Sequence, residues 1–116
     1  MLSACVLITE LMADPTPSVG LPPYEYVELW NAAGTPVDLS GWTLRCGRSE
    51  FTFGPCTMGP RAYLTLCSET AEPWFAPFGP VLALWKSATQ LANDGQTVAL
   101  SDADGGLQSR VTYDLT

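Results

Sequence analysis

Apolar and polar residues alternate along short segments of this chain, with the period of two that is typical of β-strands burying one face. Val27 and Leu29 alternate with Tyr26, Glu28 and Trp30. The same pattern recurs over residues 5–9, 42–46, 51–53, 63–67, 97–101 and 110–113, and a continuous apolar run covers residues 81–85. The pattern predicts about nine short strands.

Glycine and proline, ten residues of each, are concentrated between those segments, where they indicate turns. Only residues 71–75 have room for a helical turn, because Pro73 and Pro77 prevent a longer helix. Short strands at regular turn spacing, without a long helix, predict an all-β fold, specifically a two-sheet antiparallel β-sandwich.

No linker, repeat or low-complexity tract divides the chain. The Pro-rich segment 14–23 is interpreted as a loop, because the strands on both sides of it are needed to complete one core. We therefore predict a single domain over residues 1–116. An initiating methionine this close to the first predicted strand suggests that the domain is excised from a larger protein, with any targeting signal outside it.

Composition narrows the class of protein. Hydrophobic residues make up 47% of the chain and charged residues 15%, which is too apolar for a disordered segment. The apolar runs are too short to cross a membrane, so we predict no membrane insertion by this segment. Its N-terminus lacks the basic start and the cleavage site of a signal peptide. A net charge of −7 would repel a phosphate backbone, which argues against nucleic acid as a partner.

The residue inventory also argues against catalysis. The chain has no histidine, which removes Ser-His-Asp and Cys-His catalysis and the common histidine-containing zinc sites. Its Gly-Pro pairs lack the strand-to-helix context of a phosphate-binding loop. A pair of carboxylates for glycoside hydrolysis would need a cleft and a fixed separation, neither of which the sequence predicts. We therefore predict that the chain is not an enzyme.

Several short motifs follow one another in a characteristic order. The most informative are Glu25-Tyr-Val-Glu-Leu-Trp-Asn31 and Gly41-Trp-Thr-Leu44. The others occupy residues 8–15, 37–40, 58–60, 63–66, 93–100, 102–105 and 111–114. In this order and at these separations, the motifs resemble the lamin tail domain family, in particular its bacterial members in secreted and cell-surface proteins.

The resemblance implies an immunoglobulin-like sandwich and brings no catalytic residues with it. It also implies a non-catalytic module of a secreted or cell-envelope protein, which contacts a protein partner or positions neighbouring domains of the same chain. The alternative function is a carbohydrate-binding module, with calcium as an optional cofactor. We predict no other cofactor.

The aromatic residues divide between core and candidate surface. Trp42 and Trp85 are predicted to anchor the core with their large apolar area. Tyr26 and Trp30 lie on the opposite face of their strand from its buried positions. If they are exposed, they offer a surface for a sugar ring or a protein partner. If a neighbouring loop covers them, they are structural.

Carboxylates suggest two further sites. Glu10, Asp14, Glu25 and Glu28 flank the Pro-rich loop, where they would bind a ligand, a partner or calcium, or would hydrogen-bond the loop backbone instead.

The second site includes Asp102 and Asp104, which are followed by two glycines and match half of a calcium-binding loop. The alternative interpretation is a hairpin turn in which glycine supplies a positive φ.

The four cysteines, Cys5, Cys46, Cys56 and Cys67, include no C-x-x-C pair, which argues against a tetrahedral metal site. Disulfide bonds are the better interpretation, each contributing about 3 kcal/mol in an oxidising compartment. Three pairings are possible, and the sequence alone does not choose among them. Cys5 and Cys67 share the outward register of their strands, so the pairs that we predict are Cys46–Cys56 and Cys5–Cys67. Because the alternation puts Cys46 on a buried face, a reduced core thiol remains the alternative there.

Overall fold

The computed structural model describes residues 5–12, 26–69, 71–85 and 96–113, and within these ranges the chain forms ten strands and one short α-helix. The strands are β1 (Val6–Met12), β2 (Tyr26–Asn31), β3 (Val37–Asp38), β4 (Thr43–Cys46), β5 (Ser49–Thr52), β6 (Thr57–Met58), β7 (Tyr63–Ser68), β8 (Val81–Trp85), β9 (Gln96–Ser101) and β10 (Leu107–Tyr113). The predicted all-β fold is confirmed.

Two four-stranded sheets form the sandwich. The first sheet has the order β1-β2-β7-β8 and the second has the order β10-β9-β4-β5, while β3 and β6 form a separate two-stranded ribbon. Every pairing is antiparallel except β7–β8, which is parallel. The purely antiparallel arrangement predicted from the turn spacing is therefore wrong at this edge, because a helical crossover connects β7 to β8 instead of a hairpin.

The core lies between the two sheets and draws on both of them. Val27 and Leu29 of β2 are fully buried, as are Leu44 of β4 and Leu100 of β9. Each such aliphatic side chain stabilises the fold by about 1.5–3 kcal/mol through burial. The core tryptophans are as predicted: Trp42 and Trp85 are both buried, and they join the same cluster.

The crossover contains helix α1 (Glu72–Phe75) and a 3-10 turn over Ala76–Phe78. Proline occupies the first turn of each, where a missing N–H is tolerated, so the predicted single helical turn is confirmed. Phe75 packs over the outside of the first sheet and forms a second small apolar cluster with Tyr26, Cys67 and Ala71. No helix within the described ranges is long and apolar enough to span a membrane.

At one side of the sandwich, the edge strands β1 and β10 approach each other. The Gln108 and Ser109 side chains accept hydrogen bonds from the backbone N–H groups of Cys5 and Ile8, at 3.1 and 3.0 Å. Each strand also has a bulge, between Ile8 and Glu10 in β1 and between Leu107 and Ser109 in β10. Side-chain bonds thus replace a backbone ladder at this seam, which protects the exposed strand edges.

Candidate functional site

The outer face of the first sheet carries two rows of side chains that the strand register aligns. The first, here called the aromatic row, consists of Trp30 with its cross-strand neighbours Leu7 and Tyr63. The second, the carboxylate row, consists of Glu28 with its neighbours Glu10 and Thr65. The two rows are adjacent because Glu28 and Trp30 are two residues apart on β2.

The bulge in β1 brings Glu10 to this face. Simple alternation would put Glu10 on the same side as Ile8, which is buried in the core. The bulge inserts Thr9 as an extra residue, so that Ile8 pairs with Leu29 and Glu10 pairs with Glu28. Two carboxylates consequently lie directly opposite each other.

Trp30 and Tyr63 are stacked across neighbouring strands. Their ring centroids are 6.1 Å apart and their planes differ by 24°. The Trp30 indole Nε1 donates a hydrogen bond of 3.1 Å to the backbone carbonyl of Arg61, which fixes the orientation of the ring. Tyr63 is 53% exposed, an unusual exposure for a large aromatic side chain in a regular strand. The pair is therefore an oriented aromatic surface that water reaches.

A tight turn over residues 59–62 supplies that carbonyl. The Ala62 N–H bonds to the Gly59 carbonyl at 3.2 Å, Pro60 follows Gly59, and Arg61 has a φ of 58°. Proline followed by a residue of positive φ is typical of a type II turn, which normally uses glycine at the second place. Arginine in this conformation costs about 1 kcal/mol, and the exposed Arg61 lies two residues before Tyr63 of the aromatic row.

Asn31 connects this turn to the loop that follows β2. Its side chain is fully buried and donates through Nδ2 to the carbonyls of Thr35 and Gly59, both at 2.9 Å. Its Oδ1 accepts the Ala33 N–H at 2.9 Å. The sequence pattern did not single out this residue; an asparagine at the end of a strand, three residues before a Gly-Thr-Pro turn, was the available signal.

Neutral donors orient the two carboxylates. The Tyr26 hydroxyl donates to Glu10 Oε1, and Thr9 Oγ1 donates to Glu28 Oε1 at 2.8 Å. Neither carboxylate forms an ion pair with a described residue; the ion pair between described residues, Arg45 with Glu50, lies on the second sheet. Like charges directly opposite in a ladder are destabilising, and no ion pair with a described residue offsets the negative charge of the row.

The interpretation of Tyr26 and Trp30 as an exposed aromatic pair is wrong, because Tyr26 is only 8% exposed beneath helix α1. Its ring meets Phe75 edge to face, with centroids 5.4 Å apart and planes at 66°. Trp30 instead pairs with Tyr63, which shares the outward register of β7. The covering segment is the crossover, whose position the strand pattern alone did not indicate.

Tyr26 should give the fold a sensitivity to alkaline pH. Burial, followed by the hydrogen bond to Glu10 and the charges of Glu10 and Glu28, raises the Tyr26 pKa well above its ordinary value of 10.0. The unfolded chain then loses this proton at a lower pH than the folded chain does. The stabilisation is fully present below pH 10 and is lost as the pH rises above it. The urea midpoint of the wild type should fall when the pH is raised from below 10 to above it, and that of Tyr26→Phe should fall less. Equal falls in the two proteins would contradict this prediction.

The profile of the lamin tail domain family matches residues 3–114, nearly the whole chain. The chain belongs to the lamin tail domain family. No curated protein sequence matches it. The immunoglobulin-like sandwich expected of a lamin tail domain agrees with the two sheets described above.

In this lamin tail domain, the turn between β9 and β10 has the hairpin form. Asp102 Oδ1 accepts the N–H groups of Asp104 and Gly106 at 3.0 and 2.8 Å, and Oδ2 accepts from Gln108 Nε2 at 3.2 Å. The bond from Gly106 is the main reason that the pKa of Asp102 lies below its usual value. Gly105 has a φ of 85°, and a Cβ on Gly106 would lie 2.9 Å from Asp102 Oδ2. The Asp102 carboxylate therefore closes the turn.

The carboxylates around the Pro-rich loop are only partly described. Glu10 and Glu28 lie side by side, whereas Asp14 and Glu25 fall outside the described residues. Among the residues that are described, no group of three or more acidic or cysteine side chains is arranged to hold a metal ion.

The structure contains neither predicted disulfide bond, because Cys5, Cys56 and Cys67 are free thiols. The pair Cys5–Cys67 fails for a geometric reason. Strand β2 lies between β1 and β7, which separates them by about 10 Å, beyond the reach of a disulfide. Burial, with a smaller effect of Glu72, raises the pKa of the Cys67 thiol to about 11.

Cys46 and Cys56 lie in different parts of the fold. Cys46 ends β4 in the second sheet and is buried in the main core, as its register predicts. Cys56 precedes β6 of the small ribbon and packs against the edge of the same core. The interpretation of Cys46 as a core residue is therefore the one that agrees with the structure.

Proposed function

We propose that this lamin tail domain is a non-catalytic binding module, and that the outer face of its first sheet contacts a protein partner or a neighbouring domain of the same chain. The stacked Trp30–Tyr63 pair is the observation that carries the proposal. We further propose that the module belongs to a secreted or cell-envelope protein, on the likeness of its motifs to bacterial members of the family.

The aromatic pair has the properties of an interface centre. Aromatic residues supply much of the binding free energy of protein interfaces, above all where their conformation is already fixed before binding. Trp30 is held by the Arg61 carbonyl, and the Asn31 network holds the turn that provides it. A partner would therefore bury aromatic surface without first ordering it, and so at low entropic cost.

A carbohydrate is the second candidate for this face. Flat aromatic rings stack on sugars, and carboxylates beside them accept hydrogen bonds from the sugar hydroxyls. Binding to a glycan array that is lost in Trp30→Ala, with or without added calcium, would favour this candidate over a protein.

Site-specific photo-crosslinking in the full-length protein tests the main proposal. A photoreactive amino acid at position 63 should give discrete covalent adducts with protein, and Trp30→Ala should reduce their yield by about tenfold, the effect of losing a central interface residue. The same probe at position 107 is the matched control, because Leu107 is equally exposed at 53% but begins β10 of the second sheet. Equal adducts at both positions, or none at position 63, would contradict the proposal.

A further inference from the structure

We infer that the outer face of the first sheet recognises a cationic segment of its partner, in which a lysine or arginine side chain lies between the aromatic row and the carboxylate row. This inference rests on the proposed function, because it names the chemistry of the partner for the same face.

The spacing of the rows suits such a side chain. The Cα atoms of neighbouring residues on one strand face are about 7 Å apart, so a cation resting above the space between the side chains of Glu28 and Trp30 is within reach of both. Tyr63 and Thr65 repeat the spacing on the neighbouring strand. An ammonium or guanidinium group in this space would contact an aromatic ring on one side and a carboxylate on the other.

The charge of the face also selects a cation. Glu10 and Glu28 lie directly opposite each other, and the described residues that donate to them, Tyr26 and Thr9, are neutral. These donors orient the carboxylates without cancelling their charge. A bound cation would offset the repulsion between the two carboxylates, which is already present in the unbound fold.

Other occupants fit the same face less well. An acidic peptide would meet two like charges, and a second copy of this chain would bring another net charge of −7. A neutral sugar could donate hydroxyl hydrogen bonds to the opposed carboxylates, but it would bring no charge to offset their repulsion. The exposed Arg61, two residues before Tyr63, provides the carbonyl that holds Trp30, and its charge should oppose a cationic partner slightly.

Titration with synthetic peptides tests the inference. The probes are a short peptide rich in lysine and arginine, its glutamate counterpart and a glycine-serine peptide, added to the ¹⁵N-labelled domain. The basic peptide should shift the resonances of the Trp30 indole and of residues 28 and 63, with an affinity that falls as salt is added. The other two peptides should leave them unchanged.

Single charge changes then distinguish a specific site from general attraction to an acidic protein. Glu28→Gln should weaken binding of the basic peptide about fivefold, and Trp30→Ala about tenfold. Arg61→Gln should strengthen binding about twofold, because it removes a like charge. Asp104→Asn also removes one negative charge, but on the exposed turn after β9. It should change the affinity for the basic peptide only by the small effect of the lower net charge.

Each outcome is decisive. Equal weakening by Glu28→Gln and Asp104→Asn, or shifts spread over both sheets, would overturn the inference in favour of non-specific attraction. Shifts with the glutamate peptide alone would assign an acidic partner instead. If position 63 crosslinks to a protein but the basic peptide does not bind, the inference fails and the proposed function stands. If neither occurs, both fail. The wild-type titration needs no substitution, so a misfolded variant would not obscure the result.

Discussion

Replacing Asn31 with alanine should destabilise the domain by about 3 kcal/mol, because a buried asparagine with three hydrogen bonds leaves two carbonyls and one N–H without partners. The loss exceeds that of an ordinary hydrogen bond, since one fully buried side chain makes all three bonds. Urea unfolding should show a lower midpoint with an unchanged slope.

The loss at Asn31 should also reach the aromatic pair. Without the bond from Nδ2 to Gly59, the turn over residues 59–62 loses one of its fixed points, and the Arg61 carbonyl that holds Trp30 becomes less well placed. We expect the Trp30 indole N–H to exchange with solvent faster in Asn31→Ala, even under conditions where the variant remains folded.

Asp38 offers the matched control for this prediction. Its Oδ1 accepts the Ser40 N–H at 2.9 Å, the same local arrangement as Asn31 with Ala33, but the Asp38 side chain is exposed. Asp38→Ala should shift the urea midpoint far less, because water replaces the lost partner. Similar midpoints for the two variants would show that burial is not the reason that the Asn31 hydrogen bonds stabilise the fold.

The fold could be predicted from the sequence because the pattern that assigns residues to strands and to buried faces is local. The period of two assigns Val27, Leu29, Leu44 and Leu100 to buried faces, and the position of Trp42 after glycine indicates a core anchor. Each assignment needs only neighbouring residues and the geometry of a strand. The parallel pairing of β7 and β8 needs more, since it depends on where the crossover returns.

The candidate site was only half predictable, because its geometry depends on two non-local events. The register of β2 placed Trp30 on the outer face correctly, but the crossover covers Tyr26 and leaves Tyr63 exposed. The bulge that brings Glu10 opposite Glu28 interrupts the very alternation from which faces are assigned. Pattern reasoning fails where strand irregularity and tertiary packing decide which side chains meet.

Trp85→Phe should lower stability by less than about 1 kcal/mol, whereas Trp85→Ala should lower it by about 4 kcal/mol. Trp85 is 2% exposed and packs against Phe51 with ring centroids 5.8 Å apart, so a phenyl ring retains most of its contacts. Its indole Nε1 is buried and donates to no described residue. A buried donor without a partner costs about 1–3 kcal/mol, and phenylalanine removes that cost together with part of the ring volume.

Trp42→Phe is the comparison that isolates the indole nitrogen. Trp42 also belongs to the main core, but its nitrogen is not among the buried, unpaired side-chain atoms of the described residues. The same loss of ring volume should therefore cost about 1–2 kcal/mol there, with no compensating gain. Thermal or urea unfolding of the two variants measures the difference directly. If Trp85→Phe loses as much stability as Trp42→Phe, the Trp85 N–H has a hydrogen-bond partner in solution, and its burial carries no penalty for substitution to relieve.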